Sequence, residues 1–301
     1  MAPSKESQAL AELFGKLAGA WPSDGDPYLS RCIYEQVHSV ASEAEGVSYK
    51  TVSAGGRPSL WIQPSGASDQ HVVLFMHGGG FSFGSTNSHR KLASHLAKAC
   101  NCMSLSVEYR LTPEHAFPVP LDDCVDAYKW LLDQGYKAEN IVVAGDSCGG
   151  GLSATVPLAA VERGLPNPGA AVALSPWYDL TNGGESFTTN EDKDVLSSKE
   201  SVKVITDRYI AGGTSKENPL VSPIYANLSG LPPTWISCAG FDMLRDQGAL
   251  LAEKAKKAGV DVTLDMHEGQ QHVMEFMAGM APEANDSLQR IGEWVRKKIG
   301  S

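Results

Sequence analysis

No stretch of the chain approaches the roughly 18 consecutive apolar residues that a membrane helix needs. The opening segment, MAPSKESQALAELFGK, contains no continuous apolar run of the kind that marks a secretory leader. Cationic residues are scarce: 25 Lys and Arg stand against 35 Asp and Glu, a net charge of −10. That excludes a broad phosphate-backbone-binding surface, which needs basic excess, and leaves room only for a local basic pocket. There is no CxxC pair. Cys32, Cys100, Cys102, Cys124, Cys148 and Cys238 are scattered, and no second Cys or His pair completes a zinc site. Buried free thiols are the expectation. No repeat or low-complexity tract occurs. These absences predict a soluble, reduced, cytoplasmic protein whose partners include neither nucleic acid nor a membrane.

What the chain does have is an apolar share of 42% against 20% charged residues, enough for a sizeable core and too much for disorder. Its 301 residues fit two domains, or one α/β domain of about 250 residues with additions. Leu10, Leu13, Phe14, Leu17 and Trp21 recur at the spacing of one helix face, and Pro22 stops the pattern. A second helical pattern covers 33–40, and β-like runs cover 47–53 and 58–63. From there strands alternate with helices. The strand candidates are 71–76, 103–109, 140–144, 170–174, 234–238 and 260–266; the helical segments are 87–99, 121–134, 148–163, 246–258 and 286–298. This alternation implies βαβ units and a mostly parallel sheet. Continuous apolar runs such as VVLFM and IVVAG fit strands covered on both faces. Residues 181–220 interrupt the order: they are polar, rich in Gly, Ser and Thr, with one helical pattern at 198–210. An insertion there can form a lid over the sheet edge; the plainer alternative is a peripheral excursion.

Two motifs carry chemistry. Gly145-Asp146-Ser147-Cys148-Gly149 fits G-x-S-x-G and lies where a strand ends and a helix begins. A sharp turn at that point exposes the Ser147 hydroxyl, and the glycines avoid a Cβ clash. The helix N-terminus favours developing negative charge. His77-Gly78-Gly79-Gly80 directly follows the strand VVLFM. Its unshielded N–H groups suit an oxyanion, and the sequence holds no G-x-x-x-x-G-K-[ST] or G-x-G-x-x-G pattern to favour a phosphate instead. A nucleophilic serine needs a base, and the base needs an orienting carboxylate. Only His267 and His272 follow Ser147 in the chain. His272 lies in a loop beyond the last strand candidate and is preferred over His267, which ends that strand. Asp242 closely follows the strand TWISC and is preferred over Asp246, which suits the first turn of the next helix.

The set His77–Gly80 (HGGG), 109–114 (YRLTPE), 145–150 (GDSCGG), 241–246 (FDMLRD) and the loop around His272 resembles the hormone-sensitive-lipase-like family of α/β-hydrolase esterases, over roughly 72–298. The resemblance implies an α/β-hydrolase fold: a mostly parallel eight-stranded sheet with helices on both faces. It also implies a single domain, 1–301, with helical cap elements at about 1–45 and about 181–220. Carried onto this sequence, it makes Ser147 the nucleophile, His272 the base and acid, and Asp242 its partner. The oxyanion hole is formed by the N–H groups of Gly79, Gly80 and Cys148. His77 braces the loop, and Arg110 and Glu114 support the scaffold. The sequence departs from the family at Cys148, where Ala is common, and at Gly151, where Asn is common and where a side-chain anchor near the elbow is lost. Gln271 and Val273 are unusual neighbours for the histidine, and Pro157 should kink or shorten its helix.

The expected function is a serine carboxylesterase acting on small esters with short to medium acyl chains, without metal or cofactor. A lactone hydrolase or amidase using the same residues is the alternative, and a non-catalytic ligand-binding relative is disfavoured by the complete triad. Phe81, Phe83, Trp177, Tyr178, Phe187 and Met274 are the candidate substrate-binding residues, with ordinary core packing expected for about half of them. A small-molecule ester is the expected partner; whether the chain forms a homodimer is left open.

Overall fold

Alternate residues of each central strand enter different cores. Val73 and Phe75 pack with one cluster, while Val72, Leu74 and Met76 pack with another, and all five are fully buried. A strand of this kind needs helices on both of its faces. The computed structural model describes residues 3–22 and 25–301; residues 1, 2, 23 and 24 of the expected N-terminal cap element lie outside them. The strands are β1 (Val47–Ala54), β2 (Arg57–Pro64), β3 (Ser68–Met76), β4 (Cys102–Val107), β5 (Ile141–Asp146), β6 (Ala170–Leu174), β7 (Thr234–Ala239) and β8 (Val262–His267). They form one eight-stranded sheet in the order β1-β2-β4-β3-β5-β6-β7-β8. The β1–β2 and β2–β4 pairs are antiparallel and the others parallel.

The α-helices are α1 (Lys5–Ala20), α2 (Pro27–Tyr34), α3 (Arg90–Cys100), α4 (Val119–Asp133), α5 (Cys148–Glu162), α6 (Ser186–Thr189), α7 (Lys199–Tyr209), α8 (Arg245–Lys257) and α9 (Pro282–Ile299). Leu92 and Leu96 of α3 and Ile291 and Val295 of α9 cover one face of the sheet, where Leu10 and Phe14 of α1 join them. Leu121 and Leu131 of α4 and Leu152 and Val156 of α5 cover the other, continued by Leu251 and Ala255 of α8. The expected second helix begins earlier than its pattern, at Pro27, and residues 35–40 wind on as a 3-10 helix. Asp26 caps that start by accepting the Tyr28 N–H at 2.8 Å.

Two expectations are corrected. Pro157 does not cut its helix short: α5 runs on past it to Glu162, with Pro157 buried inside. Close packing on both sides outweighs a cost of about 3 kcal/mol for proline in a helix interior. Cys32 is exposed, although the other five cysteines are buried. The sheet brings the ends of β3, β5, β6, β7 and β8 to one edge, which is where ligands bind in open α/β sheets.

Candidate active site

Ser147 occupies the turn between β5 and α5 with φ 54° and ψ −121°, a region that a residue with a Cβ rarely visits. Its surroundings over-determine that conformation. The Ser147 N–H donates to the Leu174 carbonyl at 2.8 Å, and its own carbonyl accepts from the N–H groups of Trp177 (2.9 Å) and Gly151 (3.0 Å). The flanking glycines are steric requirements. A Cβ on Gly145 would lie 2.4 Å from the Met76 carbonyl oxygen, and one on Gly149 would lie 2.0 Å from it. Gly151 follows the same rule, since a Cβ there would stand 2.5 Å from the Trp177 carbonyl oxygen. At this position backbone fills the space a side chain would take.

The glycine loop after β3 is equally close-fitting. Gly79 has φ 111°, and its Cβ would fall 2.1 Å from the Phe83 carbonyl oxygen; Gly80 has φ 57° and faces Ile205 of α7. Asp146 anchors the loop by accepting the Gly78 N–H at 3.0 Å, and its other oxygen faces the buried His89 ring at 3.3 Å. His77 stacks on Tyr109 with centroids 4.2 Å apart, and the Tyr109 hydroxyl donates to the His77 carbonyl at 2.6 Å. The Cys148 side chain adds a contact that alanine lacks: its sulfur accepts the Phe81 N–H at 3.3 Å. Burial pushes this thiol up to about 12, so it stays protonated at neutral pH. Arg110 pairs with Asp123 of α4 at 2.6 Å, and Glu114 with Arg31 of α2 at 2.6 Å; both tie the loop after β4 to neighbouring helices.

The loops after β7 and β8 bring Asp242 and His272 together. Asp242 is 1% exposed. One of its oxygens accepts the Leu244 N–H at 2.7 Å, and the other lies 2.6 Å from His272 Nδ1. That contact assigns Nδ1 to the carboxylate and leaves Nε2 as the second ring nitrogen. Burial pushes the imidazole down, but the carboxylates of Asp242, Asp194 and Asp146 outweigh it and raise it to about 9. Val273 adopts φ 50° and is held there by donating its N–H to Ser175 Oγ at 2.9 Å. The competing residues lie elsewhere. Asp246 accepts the Ser186 N–H at 2.8 Å, and His267 pairs with Asp265 at 3.2 Å.

Ser147, His272, Gly79 and Gly80 line one cavity of about 410 Å3. Of the six candidate substrate-binding residues, Phe83 and Trp177 line it as well. The other four do not. Phe81 turns away and stacks on Tyr209 at 3.7 Å. Tyr178 is buried with Leu231 and Ile236, Met274 is buried in the α3–α9 core, and Phe187 packs on the α4–α5 core. The wall is completed instead by Trp21 and Tyr34 from the N-terminal helical region, by Leu196, Val202 and Ile205 from the insertion, and by Leu244. Phe83, Tyr34 and Trp21 form an aromatic cluster, with Phe83 centroids 4.9 Å and 5.2 Å from the other two. The α7 part was visible only as a helix face: Ser198, Ser201, Val202, Ile205 and Arg208 follow helical spacing, but spacing does not say what a face meets.

Residues 73–276 match a family model described as the α/β hydrolase fold. The chain is 35% identical to an acetyl-hydrolase of Streptomyces hygroscopicus over 83% of each chain. It is 33% identical to an esterase of Acinetobacter venetianus over 76% of each chain. A crystal structure of an esterase from the bacterial hormone-sensitive lipase family superposes with a TM-score of 0.94 at 39% identity, covering 100% of both chains. The chain thus belongs to the α/β-hydrolase family, within its hormone-sensitive-lipase-like esterases. Among the described residues, no helix is long and apolar enough to cross a membrane.

Proposed function

We propose that the chain is a serine carboxylesterase that cleaves small esters with short to medium acyl chains through an acyl-enzyme on Ser147. The observation that carries this reading is the shared cavity of Ser147 and His272, with the Asp242 carboxylate 2.6 Å behind the imidazole. In the proposed cycle Ser147 Oγ attacks the ester carbonyl while His272 Nε2 takes its proton. The oxyanion is held by the N–H groups of Gly79, Gly80 and Cys148, aided by the N-terminus of α5. The carbon–alkoxy bond then breaks, and His272 returns the proton to the leaving alcohol. Water attacks the acyl-enzyme by the reverse route, freeing the acid and restoring the serine. The N-terminal helices and the insertion after β6 act as a cap that gives the cavity its apolar wall. Its volume lies toward the low end of the roughly 300–1,000 Å3 range of small-molecule sites, which supports short and medium chains over long ones.

The test is a panel of p-nitrophenyl acetate, butyrate, octanoate and palmitate with a lactone and an anilide, run beside covalent labelling by a fluorophosphonate. Turnover is expected on acetate through octanoate, with little on palmitate, and labelling should be stoichiometric. Faster turnover of the lactone or anilide would move the assignment to those substrates. No turnover and no labelling would end the hydrolase reading. The carboxylate is tested side by side with its competitor: Asp242→Asn is expected to lower kcat by about 10⁴-fold, while Asp246→Asn leaves it nearly unchanged.

A further inference from the structure

Asp194 lies in the insertion after β6 and is 5% exposed. One of its oxygens accepts the N–H groups of Leu196 and Ser197, both at 3.0 Å, and these two residues line the cavity. The other accepts the N–H of Met243 at 3.2 Å, the residue that follows Asp242. Asn190, whose carbonyl accepts the Asp194 N–H at 2.8 Å, donates its side-chain amide to the carbonyls of Gly240 (3.0 Å) and Asp242 (2.9 Å). Gln271, beside His272, donates to the Lys193 carbonyl at 2.9 Å and accepts the Val195 N–H at 3.3 Å. The segment 190–197 is thus laced to the Asp242 turn and to the His272 loop at once.

Three N–H groups converging on two oxygens call for a carboxylate, because an amide would turn its own N–H groups toward one of the donors. The choice is costly where Asp194 sits. Burial and the neighbouring Asp242 push its carboxyl up to about 6, against the pull of His272 and of its N–H donors. A buried negative charge beside another is poorly explained by anchoring alone. Its electrostatic effect falls on His272, which feels both carboxylates.

We propose that Asp194 is a positioning residue of the active centre: it fixes the Asp242 turn against the cavity wall and adds a second negative charge that stabilises the imidazolium of His272. The proposal rests on the roles given above to Ser147, His272 and Asp242. The charged groups around it are few. Asp242, from the loop after β7, and His272, from the loop after β8, act on it electrostatically, and the Asp242 turn touches it through the Met243 N–H. Asp146 acts on His272 from the end of β5. Lys193, its chain neighbour, holds its ammonium 3.2 Å from the Asn190 side-chain oxygen.

The pH profile of kcat/KM tests it, since that profile reports the free enzyme's essential groups. His272 must be neutral to accept a proton, so activity falls as pH drops below its raised value. Asp194→Asn removes a negative charge, destabilises the imidazolium and should move the acid limb to lower pH by about one unit. Asp194→Ser, which keeps a short acceptor, should move it the same way and serves if the first variant fails to fold. Fluorophosphonate titration counts the folded sites in each. A variant that lowers kcat with the acid limb unmoved shows a purely structural role and overturns the proposal. Ser147→Ala separates the two levels. If wild-type turnover does not depend on Ser147, the parent reading fails; if it does and the limb stays in place, only the role of Asp194 fails.

Discussion

Replacing Ser147 by alanine is expected to lower kcat toward p-nitrophenyl butyrate by about 10⁶-fold, the scale reached when a serine nucleophile is removed. The variant should also lose fluorophosphonate labelling. Binding of the ester should survive, because the cavity wall from Trp21 to Leu244 is untouched. A residual rate roughly 10³-fold above water is expected from the remaining oxyanion donors and from binding alone. The backbone should not relax either. Alanine keeps the Cβ, so φ 54° stays strained, and the N–H and carbonyl of the position keep their partners in Leu174, Trp177 and Gly151. A thermal melt matching wild type, combined with lost turnover, would assign the effect to the hydroxyl. Retained turnover would remove Ser147 from the mechanism.

The second large effect concerns folding. Gly149→Ala places a methyl group 2.0 Å from the Met76 carbonyl oxygen and 2.7 Å from that of His77. Both atoms are backbone at the end of a central strand, so neither can swing aside as a side chain would. The variant is expected to lose roughly 3 kcal/mol or more in urea unfolding, with the β3 and β5 ends forced apart and activity lost. Gly15→Ala is the matched control. That glycine lies in α1 with nothing within 4 Å of the added Cβ, and the exchange should gain about 0.5–1 kcal/mol. Equal behaviour of the two variants would contradict the close-packed elbow.

The order of strands and helices was legible because each element repeats its own period, and the sheet's two-sided burial was written in runs such as VVLFM. The meeting of Asp242 with His272 was legible because chain order and strand ends leave few choices. The cavity wall was not. Trp177 and Tyr178 are adjacent in the sequence, yet one lines the cavity and the other is buried in the core beside α8. Composition treats them alike; only the direction of the backbone after β6 separates them. Met274 failed for a related reason, since the turn after His272 carries it back under the sheet. Gly151 looked like a missing side chain, because the carbonyl of Trp177 that forbids one is 26 positions away in the chain and touches it only after folding. Asp194 carried no motif at all. Its meaning comes from three backbone N–H groups that meet around it.

The lacing of segment 190–197 to both loops limits how this enzyme can be rebuilt. An insertion that only covered the cavity could be exchanged between relatives as an independent module. Here a transplanted segment lacking Asn190 and Asp194 would leave the carbonyls of Gly240 and Asp242 and the N–H of Met243 without these partners. Under the roles proposed for Asp194 and the insertion, substrate range and proton chemistry would change together, and a chimera that alters the first would need Gln271 along with its insertion to preserve the second.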